Sequence, residues 1–155
     1  MNYHEIIKRF EPTPDNLLPM LHAIQDEHPQ NYLTPDTLKA VAAYMKTTLA
    51  SVYGVVGYYT MFSTSPRGRY IIRVCNSPVC HLTGSENTIE WAKEILGVGL
   101  NQTTADDLFT LEESECLGRC AKSPSIMINR DFYGNLTRSK LAEIFSEIRL
   151  KVNKN

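Results

Sequence analysis

The chain has 155 residues, 43% of them apolar and 21% charged, the balance of an ordinary globular protein. That excludes wholesale disorder and low-complexity structure, and a chain of this length buries enough surface to fold without covalent staples. Sixteen Lys and Arg stand against seventeen Asp and Glu, with no basic stripe, so neither a nucleic acid nor an anionic membrane surface is expected as a partner.

The start, Met1-Asn2-Tyr3-His4-Glu5, lacks the basic-then-apolar pattern of a signal peptide, and an intracellular, cytoplasmic protein is expected. The first sixty-odd residues read as helices. Thr13-Pro14-Asp15 offers an N-cap, a proline at the first helical position and an early acid, leading into Leu17, Leu21 and Ile24 on one face. Thr34-Pro35-Asp36 repeats the signal ahead of Leu38, Val41, Ala42 and Met45. Thr48 to Phe62 reads as a further helix, broken near Gly54 and Gly57 and buried on most sides, its Tyr53, Tyr58, Tyr59 and Phe62 serving helix packing rather than a cofactor. Its apolar run, Gly54 to Phe62, is far short of the ~20 residues of a membrane span, so no direct membrane insertion is expected.

Ser63-Thr64-Ser65-Pro66-Arg67-Gly68 is the clearest linker, and it suggests a helical domain over 1–65 and a second domain over 66–155. Beyond it the pattern changes. Arg69 to Val74 is β-branched and strand-like. Thr83-Gly84-Ser85-Glu86 has the form of a capping box and opens a helix carrying Ile89, Ala92 and Leu96 that stops at Gly97. Trp91 and Ile95 lie off that stripe and suggest a partner surface. Leu108 to Leu111 and Ser125 to Ile128 are short strands. Phe132-Tyr133 is a fourth, reached by a tight turn through Asn129-Arg130-Asp131, and Thr137 caps a last helix with Leu141, Ile144, Phe145 and Ile148 on one face. The order β-α-β then β-β-α makes the first two strands parallel and the last two antiparallel. The fold class expected is α/β, a small mixed sheet with helices on both faces in a thioredoxin-like arrangement, preceded by an α-helical bundle.

All four cysteines lie in the second part, as Cys75-x4-Cys80 and Cys116-x3-Cys120. Reduced cytoplasmic thiols make disulfides the weaker reading. In a β-α-β unit the end of the first strand and the loop after its parallel neighbour share one rim of the sheet, so two loops there can bring four sulfurs round one object. Structural zinc takes four thiolates and is compatible with these spacings. A [2Fe–2S] cluster also takes four, and wider loops such as Cys-x4-Cys suit a more extended object. Gly118 would let the backbone come close to it. Thioredoxin-type dithiol chemistry needs Cys-x-x-Cys, and neither pair has that spacing. His81 is read as a neighbour of the ligands rather than a ligand. Arg119 either offsets thiolate charge or is solvated.

In this setting Val74-Cys75-Asn76-Ser77-Pro78-Val79-Cys80-His81-Leu82-Thr83-Gly84, and Glu115-Cys116-Leu117-Gly118-Arg119-Cys120 followed by Pro124, resemble the two motifs of the thioredoxin-like [2Fe–2S] ferredoxin family. Within it the chain looks most like the small, 24-kilodalton-type iron–sulfur subunit of NADH dehydrogenase (complex I) and of related NAD-linked, often electron-bifurcating hydrogenases and formate dehydrogenases. Val52-Tyr53-Gly54-Val55 and Tyr59 to Phe62 resemble the family's helical signature, and the likeness runs from about Leu17 to Arg149. Tyr58 and Gly57 depart from it, away from the thiolates. The resemblance implies one [2Fe–2S] cluster on Cys75, Cys80, Cys116 and Cys120, a one-electron carrier, and a partner flavoprotein subunit that carries FMN, the NADH site and further iron–sulfur centres. The N-terminal helices would dock there. With no Gly-x-Gly-x-x-Gly fingerprint, this chain is not expected to bind NAD or flavin, or to catalyse a reaction alone.

Overall fold

The computed structural model describes residues 3–153; Met1 and Asn2, part of the stretch read for a signal peptide, lie outside them, as do Lys154 and Asn155. Contacts divide the chain into two units, Met1–Arg69 and Tyr70–Asn155.

The first unit is all helical: α1 (Tyr3–Ile7), α2 (Leu17–Glu27), α3 (Pro35–Tyr44) and α4 (Leu49–Tyr58). Thr34 and Thr48 cap α3 and α4, their hydroxyls accepting from the N–H groups of Thr37 and Ser51 at 3.2 and 3.1 Å. Thr13 does not cap a helix. A 3-10 turn, Pro14–Asn16, intervenes before α2, and the Thr13 hydroxyl is taken up by the Asn16 side-chain amide. Met20, Leu21, Ile24, Leu33, Leu38 and Val41 form the centre of this unit's core.

Two expectations for α4 are corrected. It runs unbroken through Gly54 and Gly57, and it is not buried on most sides: only Val52 and Val56 of the helix are buried. They lie four residues apart and define one narrow face. Tyr53, Tyr58, Tyr59 and Met61 are exposed, Tyr58 by 78%, and of the four aromatic residues only Phe62 is buried. An apolar run without a helical period has more apolar residues than one face can bury. The segment after α4 stays with the helical unit, because the Ser63 N–H donates to Gln25 Oε1 at 2.8 Å and buried Arg67 donates to the Asn31 carbonyl at 2.7 and 2.9 Å.

The second unit contains β1 (Tyr70–Cys75), α5 (Pro78–Leu82), α6 (Ser85–Leu96), β2 (Gln102–Thr103), β3 (Phe109–Ser114), β4 (Ser125–Ile128), β5 (Asp131–Gly134) and α7 (Arg138–Asn153). The sheet order is β2-β3-β1-β4-β5, with β1 and β3 parallel and the other pairs antiparallel. A mixed sheet with these crossovers is the expected α/β class. Thr137 caps α7 through the Lys140 N–H at 3.3 Å, and Gly97 ends α6 in left-handed backbone at φ 70°.

Contrary to expectation, the two long helices α6 and α7 do not lie one on each face of the sheet. Ile89, Ala92 and Leu96 of α6 and Leu141, Ile144, Phe145 and Ile148 of α7 share one core with Ile72, Val74, Leu111, Ile126 and Ile128, which all point to the same side of the sheet. Trp91 and Ile95 pack against that core and are not a free partner surface. The opposite side carries Ile71, Met127 and the ion pair Arg73–Glu112, opposed in register and 3.2 Å apart. This pairing extends β3 three residues beyond Leu111, where the run of charges read as its end.

Candidate metal centre

The register of the sheet assembles the site. Cys75 is the last residue of β1 and lies opposite Ser114, the last of β3, and the Asn76 N–H donates to the Ser114 carbonyl at 3.0 Å. The chain leaves both strands at one rim. From β1 it enters α5, which carries Cys80; from β3 it enters the loop with Cys116 and then the 3-10 turn Cys120–Lys122. Cys80 is therefore helical, not in a loop as expected.

Thr83 does not form the expected capping box. The N-cap of α6 is Gly84 at φ 101°, a conformation that suits glycine, and no side chain caps the helix. The Thr83 hydroxyl instead lies in donating range of the carbonyls of Val79 and Cys80, at 3.0 and 3.1 Å, closing the end of α5.

The four sulfurs come to this rim, none in a disulfide, with Cys75 and Cys80 buried and Cys116 and Cys120 exposed. They associate in pairs. Burial would push the Cys75 thiol up, but hydrogen bonds from Ser77, from the Leu117 N–H and from Cys80 outweigh it and hold Cys75 below the ordinary thiol range. The Cys120 thiol is pushed up, first by its hydrogen bond with Cys116, then by the negative charge of Cys116, with Cys80 adding to it. Cys120 thus interacts with both pairs.

The surroundings supply donors. The Gly118 N–H donates to the Cys116 sulfur at 3.4 Å, with Gly118 in left-handed backbone at φ 72°. The Ser77 hydroxyl lies 3.4 Å from the Cys75 sulfur, and Ser123 and Ser125 lie 3.4 and 3.8 Å from that of Cys80. These hydroxyls were not singled out in the sequence, where small polar residues beside cysteines carry no distinguishing pattern. His81 points to Glu86 at 3.7 Å, and the Arg119 guanidinium stacks over the Phe132 ring at 4.8 Å. Among the described residues, no three His, Cys, Asp or Glu side chains close on a point suited to one metal ion.

Residues 3–149 match the family described as thioredoxin-like [2Fe-2S] ferredoxin. The chain belongs to that family. One [2Fe–2S] cluster is the family's cofactor, and the donor set here, four thiols with backbone and hydroxyl donors aimed at sulfur, fits it. The chain is 37% identical, over 94% of its length, to the E-type subunit of the NADH-quinone oxidoreductase of Mycobacterium tuberculosis, and covers 57% of that protein. It is 33% identical, again over 94%, to the HndA subunit of the NADP-reducing hydrogenase of Solidesulfovibrio fructosivorans, of which it covers 85%. It thus spans little more than half of the mycobacterial relative and most of the hydrogenase subunit. Among solved structures, the NAD+-reducing [NiFe]-hydrogenase in the air-oxidized state superposes on 94% of the chain with a TM-score of 0.76, at 19% identity and over 24% of the hydrogenase chain. That likeness concerns the fold.

Proposed function

We propose that Cys75, Cys80, Cys116 and Cys120 hold the [2Fe–2S] cluster, and that the chain is a one-electron carrier subunit of a multisubunit NAD(H)-linked oxidoreductase. The observation that carries this reading is the meeting of α5 and the chain just after Cys120 at one rim, where the Ser123 hydroxyl lies 3.4 Å from the Cys80 sulfur. The family to which the chain belongs favours a [2Fe–2S] cluster over zinc at these four thiols.

A bound cluster supplies reversible storage of one electron. The residues do the rest. Cys75 and Cys80, buried, anchor it from the protein side. Cys116 and Cys120, exposed, form the side at which electrons cross to a partner. The N–H groups of Leu117 and Gly118 stabilise negative charge on sulfur.

The names of the relatives support a partner that carries the NADH site. We infer that it is an FMN- and NADH-binding iron–sulfur flavoprotein subunit, with a further iron–sulfur or catalytic subunit, in a complex of the NADH dehydrogenase, electron-bifurcating hydrogenase or formate dehydrogenase type. Hydride chemistry belongs to that partner. The exposed Tyr53, Tyr58, Tyr59 and Met61 give the helical unit an apolar surface for docking. Among the described residues no helix is long and apolar enough to cross a membrane.

Anaerobic purification tests the reading. A red-brown protein with about two irons per chain and an EPR signal on reduction is expected; colourless, zinc-containing protein defeats it. Cys80→Ser and Cys116→Ser weaken or abolish the cluster, and an unchanged spectrum in both overturns the ligand set. Under native conditions the chain is expected to co-purify with a flavoprotein; isolation as a lone monomer or homodimer refutes the subunit role.

A further inference from the structure

The four sulfurs do not share their hydrogen-bond donors equally. Besides the Gly118 N–H at Cys116, side-chain hydroxyls reach the two buried sulfurs, that of buried Ser77 at Cys75 and that of half-buried Ser123 at Cys80. Ser123 stands 3.4 Å from the Cys80 sulfur, and its oxygen is hydrogen-bonded in turn to the Thr83 hydroxyl. Ser125, at 3.8 Å, flanks the same sulfur from the start of β4. A ligating thiolate has no proton, so every hydroxyl bonded to it must donate. Ser123, having spent its one proton on sulfur, can only accept from Thr83. Thr83 then turns its single proton from the Val79 and Cys80 carbonyls to Ser123, and those carbonyls keep the Thr83 N–H, at 3.2 Å from each. The hydrogen bonds run in one direction, Thr83 to Ser123 to Cys80, each strengthening the next.

We propose that Ser77 and Ser123, the latter backed by Thr83, are positioning residues that raise the reduction potential of the centre through the buried sulfurs of Cys75 and Cys80. The inference rests on the ligand assignment above. An added electron increases the negative charge on the thiolates, so a donor on sulfur is bonded more strongly in the reduced state. The hydroxyl protons stay on oxygen, and the centre gains one electron from the external reductant without gaining a proton from them. Burial of the Cys75 and Cys80 sulfurs sharpens the effect, because they have less access to bulk water than the exposed pair. The exposed pair, open to water, lacks that sensitivity.

The test is an EPR-monitored redox titration of the full chain loaded with iron and sulfide. Ser123→Ala and Ser77→Ala are expected to keep the iron content and to lower the one-electron reduction equilibrium constant about tenfold each, a shift of about 59 mV to more negative potential. Ser123→Thr, which keeps the hydroxyl, stays closer to the unmodified value than Ser123→Ala. Thr83→Val touches no sulfur and is expected to shift the potential in the same direction by less. Loaded variants with an unchanged potential overturn the proposal while leaving the ligand set intact. A Cys80→Ser chain that keeps an unaltered cluster instead refutes the ligand set itself. Should Ser123→Ala fail to load, Thr83→Val decides: a negative shift supports the relay, and no shift overturns it.

Discussion

The same substitution, glycine to alanine, has opposite consequences at two kinds of position in this chain. At Gly134 in β5 a methyl group would collide with the carbonyl oxygen of Lys122 and sit 2.6 Å from its Cβ. That carbonyl is held in place, since it accepts the Asn135 N–H at 2.7 Å. Backbone has to move, and forcing a methyl into a close-packed site costs about 1–3 kcal/mol. Restricting the unfolded chain recovers up to about 1 kcal/mol, so Gly134→Ala is expected to destabilise the second unit by about 1–2 kcal/mol. At Gly54 and Gly57 in α4 an added methyl meets nothing within 4 Å. There the alanine is expected to stabilise the helical unit by about 0.5–1 kcal/mol each. Urea unfolding followed by circular dichroism reads both signs, and a thermal midpoint moves by about 4–8 °C per kcal/mol in units of this size. Gly134→Ala also has a functional readout. Lys122 closes the turn that starts at Cys120, so its displacement is expected to lower bound iron per chain. A Gly134→Ala protein as stable as the parent, with full iron, refutes the argument from close approach.

Three further outcomes follow from the packing. Arg73→Met leaves the Glu112 carboxylate buried without the cation 3.2 Å away and is expected to cost about 3–5 kcal/mol. Arg73→Met/Glu112→Met recovers most of that loss, and a double variant no more stable than the single in urea contradicts the reading. The Asp106 carboxyl is held below its usual range by the Thr104 hydroxyl first, against some burial, and then by the Leu108 N–H and Arg149. A depressed folded value gives stability that is present above the unfolded pKa of about 3.9 and lost as pH falls through the folded one. Parent and Asp106→Asn should therefore differ near neutrality and converge in acid; a gap that stays constant to pH ~3 removes this linkage. Thr34→Ala, which deletes the α3 cap, is expected to cost about 1 kcal/mol in the helical unit, with Thr34→Ser near the parent value in the same unfolding assay.

Local signals were legible wherever a residue acts within its own few neighbours. Thr34 and Thr48 cap the helices that follow them, Gly97 terminates α6, and Thr137 starts α7. Ser125–Ile128 is a strand with the limits its β-branched run suggests. The spacing of the cysteines, with the order β-α-β, was sufficient to place both pairs at one rim. Gln102–Thr103, a strand of two residues, is too short to show any alternation.

Tertiary structure decided what local pattern could not. Thr83-x-x-Glu86 satisfies the capping rule, yet the Thr83 hydroxyl is engaged at the end of α5, between two carbonyls and Ser123. Glu112 belongs in a strand only because Arg73 lies across from it in register. The glycines of α4 do not break a helix that is held by Val52 and Val56. Both long helices share one face of the sheet because their apolar stripes meet on the side to which Ile72 and Val74 point. The same holds for the hydroxyls around Cys80. Ser123 and Ser125 are more than forty residues away in the chain, and only the pairing of β1 with β4 brings them to that sulfur. Sequence alone determined which atoms can bind metal, since ligand chemistry resides in residue type. Folding determined which donors reach them, because a hydrogen bond depends on distances that chain separation does not set.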